Sequence, residues 1–167
     1  METDNKILFY SNNNDYGYMS NFYKSNFTDN INNYNCSEQY FMKKKQELFD
    51  TNNIVLANKI LESNNPTEIK KFGRQVKNYN ELVWNNARYD IMKNGLRLKF
   101  TQNLDLKQKL INTNPKNLYE ASPYDKIWGT GHNAETTLQL INNNSHNKLG
   151  RNLLGKALEE IRNELIN

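Results

Sequence analysis

Ser37-Glu38-Gln39-Tyr40-Phe41-Met42-Lys43-Lys44-Lys45 is the stretch whose reading decides the fold. Ser37 is a good N-cap, because its hydroxyl can accept a bond from an orphan N–H of the first helical turn. A helix from there to about Leu48 places a carboxylate, aromatic rings and an amine on one short element. Glu38 falls in the first turn, where the macrodipole favours a negative charge. Its plain reading is a surface carboxylate that offsets the dipole. Lys45 stands seven residues on, along the same stripe. That spacing rises about 10 Å. The two side chains are therefore too far apart for a direct bond, but can converge on one ligand. Tyr40 and Phe41 flank the stripe, and aromatics there more often serve a core than a substrate.

Outward from this helix, Lys6 to Tyr10 reads as a strand ended by the polar run Ser11 to Asp15, and Phe27 to Ile31 as a second strand or hairpin. Apolar residues Ile54, Leu56, Ala57, Ile60 and Leu61 repeat at helical spacing. Pro66-Thr67-Glu68 opens a short helix that Gly73 can close. The longest helical pattern runs from Asn80 to Phe100, weakened at Gly95 by about 1 kcal/mol relative to Ala. A helix over Leu104 to Ile111, a strand near Leu118 to Ala121, and a last helix from near Arg151 complete the pattern. The stretch from Ser122 to His132 reads as irregular, and Thr130 to Asn147 as a long polar segment. The chain is thus expected to be a single α+β domain over 1–167, helix-rich, with a small β-sheet.

Composition narrows the function. The length is 167 residues with 37% hydrophobic and 11% aromatic residues, enough for a substantial core. Asn is the commonest residue, in runs such as Asn12-Asn13-Asn14. These runs alternate with apolar periodic segments, so they read as loops and solvated faces rather than a disordered tract. The formal charge of +4 comes without a long basic arm, so weak attraction to phosphate is expected but specific DNA binding does not follow. One cysteine excludes an internal disulfide and a multi-cysteine zinc site, and two histidines are too few for a histidine cage. The polar N-terminus lacks the apolar core of a signal peptide, and no apolar run is long enough for a bilayer. The chain reads as cytoplasmic or nuclear, not secreted and not membrane-bound, with no metal or cofactor required.

Two further segments carry chemistry. In Asp125-Lys126-Ile127-Trp128-Gly129-Thr130-Gly131, a carboxylate precedes an indole on a chain that glycines allow to bend tightly. Gly150-Arg151-Asn152-Leu153-Leu154-Gly155 is a glycine-flanked helix start, whose N–H groups suit a phosphate. Arg151 adds a fork of donors. The Walker pattern of lysine and hydroxyl is missing, and no strand of a βαβ unit precedes it. If these segments meet Glu38 and Lys45, they make a polar cleft for an anionic nucleotide or sugar phosphate.

Ser20-Asn21-Phe22, then Ser37-Glu38-Gln39-Tyr40-Phe41 with Lys45, Gly73-Arg74, Trp84 with Met92 and Lys99-Phe100, Asp125-x-x-Trp128-Gly129-x-Gly131, and Gly150-Arg151-Asn152-x-Leu154-Gly155 occur in this order. The chain resembles the NADAR family, also called YbiA-like proteins, from about residue 7 to 165. The resemblance implies a helix-rich α+β fold and N-glycosidase chemistry. It brings two substrate classes: ADP-ribose on a nucleobase, notably guanine in DNA, and the phosphorylated ribosylamino-pyrimidine intermediates of riboflavin synthesis. Glu38, Lys45 and Asp125 match the family's catalytic positions. Asn21, Phe22, Tyr40, Arg74, Trp128, Gly129, Gly131, Arg151 and Asn152 are expected to bind substrate, with Trp128 and Tyr40 sandwiching a base or sugar and the arginines holding phosphate. The expected partner is ADP-ribose or another ribosyl phosphate, with ADP-ribosylated DNA as a substrate. A non-catalytic ADP-ribose-binding module is the alternative of another class. Met42 departs from the family, standing where many relatives carry Gln.

Overall fold

Ile7, Leu8 and Phe9 are consecutive and all buried, which requires a strand covered on both faces. They belong to β1 (Lys6–Phe9), which pairs in parallel with β4 (Asn117–Glu120), Ile7 opposite Leu118 and Phe9 opposite Glu120. The computed structural model describes residues 1–12 and 14–167, so Asn13 of the Asn12-Asn13-Asn14 run lies outside the described residues. The chain divides into two compact units, Met1–Ser20 with Asp105–Asn167, and Asn21–Leu104.

The first of these contains β1 and β4. It also holds most of α5 (Leu104–Ile111), α6 (Ala134–Asn142) and α7 (Leu153–Ile166). α7 turns Leu154, Ala157, Leu158 and Ile161 fully inward, the stripe that its periodicity predicts. It packs on β4. Contact is close because Gly155 has no side chain: a Cβ there would lie 2.1 Å from the Leu118 carbonyl oxygen. Buried Arg162, further along α7, donates from Nη1 to Thr113 Oγ1 at 3.0 Å and to the Lys116 carbonyl at 2.7 Å.

The second unit is built around α1 (Ser37–Phe49), which packs against α2 (Ile54–Glu62), α3 (Pro66–Gly73) and α4 (Glu81–Gln102). Asparagine side chains cap three of these helices: Asn53 accepts from Leu56 N, Asn65 from Thr67 N and Glu68 N, and Asn80 from Val83 N. These asparagines serve as helix punctuation. An antiparallel pair, β2 (Phe27–Thr28) with β3 (Asn33–Tyr34), lies in the same unit. Phe27 and Tyr34 form an aromatic cluster with Tyr40 of α1. Gly95 of α4 has a structural reason, since a Cβ there would meet Tyr40 Cδ1 at 2.6 Å.

The class is α+β, as expected, with the small sheet resolved into one parallel and one antiparallel pair. Two local expectations change. Cys36, in extended conformation, is the N-cap of α1, and Ser37 is its first helical residue. The polar segment 130–147 contains a helix, α6, capped by Asn133 through Thr136 N.

Candidate active site

α1 begins against Asn21, whose carbonyl accepts the Glu38 N–H at 3.0 Å. Glu38 is the second residue of the helix and only 6% exposed. The reading of it as a solvated dipole-compensating residue is corrected by that burial: a carboxylate withdrawn from water is costly unless the surrounding structure serves it. The residue before it, Ser37, and the residue it bonds through its backbone, Asn21, carry side-chain oxygens, Oγ and Oδ1, that are buried and not hydrogen-bonded. Such orphans cost about 1–3 kcal/mol each, and their proximity to a buried acid marks a place where a polar ligand or water completes the bonding.

Lys45 is half-buried two turns further along α1. Its Nζ donates to the Gly73 carbonyl oxygen at 2.9 Å. It also stands 4.7 Å from the ring centre of Tyr79 and 5.8 Å from that of Trp84, within cation–π range. Burial lowers its pKa below the ordinary lysine value, Glu38 opposes that shift, and the guanidinium of Arg74 adds to it. Arg74 itself caps the end of α3 and is exposed. Trp84 is fixed by Phe41 at 4.8 Å and Phe49 at 6.3 Å between ring centres.

Two aromatic residues fare differently from each other. Tyr40 was expected to stack on substrate, but it is 6% exposed, with Phe27 at 6.1 Å, Tyr34 at 5.2 Å and the Gly95 backbone against its ring. Its surface is used by the core, so the stacking role is withdrawn. Phe22 is half-buried, with the Lys70 ammonium 5.9 Å from its ring centre.

In the other unit, Asp125 Oδ1 accepts the N–H groups of Ile127 and Trp128, both at 2.8 Å, an Asx turn. The Asp125 carbonyl accepts Gly131 N–H at 3.0 Å. Through these bonds Asp125 shapes the turn that carries the half-buried Trp128. Gly131 has φ +74, and a Cβ at Gly129 would lie 2.8 Å from the Glu120 carbonyl, so both glycines are there for the turn's geometry.

The phosphate cradle expected at the start of α7 is also corrected. The N–H groups of Gly150, Arg151, Asn152, Leu153 and Leu154 donate to the carbonyls of Thr130, Lys126, Gly129, Ile127 and Trp128, at 2.7, 2.8, 3.2, 3.1 and 3.0 Å. No donor of that run is left for an anion. Asn152, expected to bind substrate, is 8% exposed and sits in the left-handed region at φ 50. Its Oδ1 accepts Glu120 N–H at 2.9 Å and its Nδ2 donates to the Leu118 carbonyl at 2.9 Å. It therefore bonds the edge of β4 as a neighbouring strand would. Arg151 remains exposed.

Sequence reasoning missed the surroundings of the Lys45 amine. Trp84 stood in the ordered motifs without a role. Tyr79 and the Gly73 carbonyl had no signal, since an exposed tyrosine in a polar loop and a backbone oxygen look like any other. Among the described residues, no group of three His, Cys, Asp or Glu could hold a metal ion, and no helix is long and apolar enough to cross a membrane.

Comparison with known proteins places the chain. The model of the NADAR domain matches residues 8–166. N-glycosidase R617 of Acanthamoeba polyphaga mimivirus is 40% identical over 98% of both chains. A riboflavin biosynthesis protein of Vibrio vulnificus, VVA0006, is 28% identical over 95% of this chain and 38% of its own length. The NMR structure of the E. coli protein YbiA superposes with a TM-score of 0.77 at 27% identity, covering 99% of this chain and 88% of that one. By a family match across nearly its whole length, and by full-length similarity to a named N-glycosidase, the chain belongs to the NADAR domain family and is an enzyme, a hydrolase of the N-glycosidase type.

Proposed function

We propose that this N-glycosidase removes ADP-ribose from a nucleobase, guanine in DNA above all, with Lys45 as nucleophile and Glu38 as the carboxylate that moves protons. One observation carries the reading: a half-buried lysine whose burial favours the neutral amine, on the helix that bears a buried glutamate. An amine can attack only when unprotonated, so burial that lowers its pKa prepares it.

In the proposed reaction the Lys45 amine adds to the anomeric carbon as the C–N bond to the base breaks. The electron pair of that bond stays on the base nitrogen. The proton lost by the lysine nitrogen passes through the Glu38 carboxylate to the base. Ring opening leaves an imine between Lys45 and the ribose. Water, activated by Glu38, adds to the imine carbon, the lysine nitrogen departs, and the free sugar is released. The same carboxylate offsets the oxocarbenium-like charge that develops at the sugar. Ser37 Oγ and Asn21 Oδ1 supply hydrogen bonds for ribose hydroxyls, and the exposed Arg74 attracts phosphate as a fork of donors.

The second reading, hydrolysis of ribosylamino-pyrimidine phosphates, is favoured by the similarity to the Vibrio vulnificus riboflavin biosynthesis protein. Turnover of an ADP-ribosylated guanine oligonucleotide and of a ribosylamino-pyrimidine phosphate, measured side by side, separates the two. The first reading expects preference for the oligonucleotide and a borohydride-stable adduct on Lys45. Turnover of the pyrimidine phosphate alone would transfer the assignment to the second. ADP-ribose binding by calorimetry with neither substrate turned over would point to a binding module instead.

A further inference from the structure

Tyr79 is 46% exposed, in the loop between α3 and α4. The core does not claim it, yet this loop is tied down at the two residues that precede it. Lys77 N–H donates to Asp50 Oδ2 at 3.2 Å, and Asn78 Nδ2 donates to the Phe49 carbonyl at 3.4 Å. Asn78 turns the chain with φ 56, a left-handed conformation that asparagine tolerates. The Tyr79 ring then meets Phe49 edge-on at 5.5 Å. The outcome of these restraints is an aromatic face 4.7 Å from the Lys45 ammonium.

Lys45 has three N–H donors and a hydrogen bond from one of them, to Gly73. The rings of Tyr79 and Trp84 lie within cation–π range of the same ammonium. We propose that Tyr79 is a positioning residue for Lys45, its ring face holding the ammonium against the Gly73 carbonyl and so setting both where the amine rests and how readily it gives up its proton. Trp84, fully packed, cannot be exchanged without disturbing the core, whereas half-exposed Tyr79 is free to tune. The inference rests on the reading of Lys45 as nucleophile for its kinetic consequence, but not for its electrostatic one.

The charged groups that act on Lys45 are Glu38 on its own helix, which favours the ammonium, and Arg74 at the end of α3, which disfavours it. Removing the Tyr79 ring deletes a further contribution in favour of the ammonium. The test follows the Lys45 side chain directly, by NMR titration of lysine-labelled protein, with the resonance assigned from its loss in Lys45→Arg. In Tyr79→Leu the titration midpoint falls by about half a pH unit, the size a partly exposed cation–π contact supports. The acid limb of kcat/KM on an ADP-ribosylated oligonucleotide moves down with it, and kcat falls several-fold with little change in KM. In Tyr79→Phe, which keeps the ring, the midpoint returns to the wild-type value. An unmoved midpoint in Tyr79→Leu, or equal displacement in Tyr79→Phe, overturns the proposal. Full turnover by Lys45→Ala would instead remove the nucleophile assignment, and the NMR comparison would still decide the role of Tyr79.

Discussion

The carbonyl oxygen of Gly73 accepts the Lys45 ammonium at 2.9 Å, while the thioether of Met42 fills the space where a side chain on Gly73 would begin. One residue at the end of α3 thus anchors the reactive amine on one side and takes a neighbouring α1 side chain on the other. Met42, one helical turn before Lys45, gives this glycine its reason for being a glycine.

Gly73→Ala is accordingly expected to destabilise the protein by about 1–3 kcal/mol, the range for overpacking. The new Cβ would lie 1.8 Å from Met42 Sδ and 2.9 Å from Met42 Cγ. The double variant Gly73→Ala with Met42→Ala should recover part of that loss, because the colliding atoms are gone. Chemical denaturation of the four proteins in this cycle gives the coupling, and additivity would contradict the contact.

Lys45→Ala and Glu38→Gln are each expected to lower kcat/KM on an ADP-ribosylated oligonucleotide by at least about 100-fold, the scale of losing a nucleophile or a proton-transfer group. Glu38→Gln keeps the side-chain shape, so its thermal midpoint should stay close to wild type. Because the neutral amine reacts and burial lowers its pKa, kcat/KM should rise with pH to a midpoint below 10.5, the ordinary value for the group. A pH–rate profile checks this, and a profile identical in Lys45→Arg would contradict it.

Lys99 of α4 is fully buried, with Tyr23 and Phe100 ring centres 5.6 and 5.3 Å from its ammonium, and burial pushes its pKa down to about 7. An unfolded lysine holds its proton until near 10.5, so between these values the unfolded state binds more protons. Linkage then requires this residue's contribution to stability to rise with pH over that window and to be lost as pH falls toward 7. Its slope should be on the order of 1 kcal/mol per pH unit in mid-window. Comparing denaturation free energies of wild type and Lys99→Met from pH 7 to pH 10 isolates the term, which the methionine variant lacks.

Asn152→Ala is expected to cost about 2–3 kcal/mol, since it removes two bonds to the β4 backbone and leaves buried polar groups of Leu118 and Glu120 without them. It also places alanine in a left-handed conformation. Hydrogen exchange at the Glu120 amide should accelerate in this variant. A protected amide with unchanged stability would show that the side chain is not the bridge described.

Much of the fold was legible because its signals are local. The caps Asn53, Asn65 and Asn80 sit one residue before an apolar repeat, and Pro66 and Gly73 bracket α3. α6 escaped notice because its fully buried position on that helix is Thr137, whose hydroxyl lies 2.8 Å from Thr130 Oγ1. A threonine buried by such a pairing leaves no apolar mark. In the site, Lys45 and Glu38 are legible as a pair on one helical stripe, whereas Tyr40 and Asn152, expected to bind substrate, are packed or hydrogen-bonded within the fold.

By itself the sequence determined every helix but α6, the α+β class and the family, because periodicity, capping and motif order are properties of neighbours along the chain. Only the tertiary structure decided that Glu38 is withdrawn from water, that Lys45 rests on Gly73 and Tyr79, and that the N–H groups opening α7 are taken by residues 126–130. Burial and hydrogen-bond satisfaction depend on which distant groups arrive beside a residue, and no stretch of residues read alone carries that information.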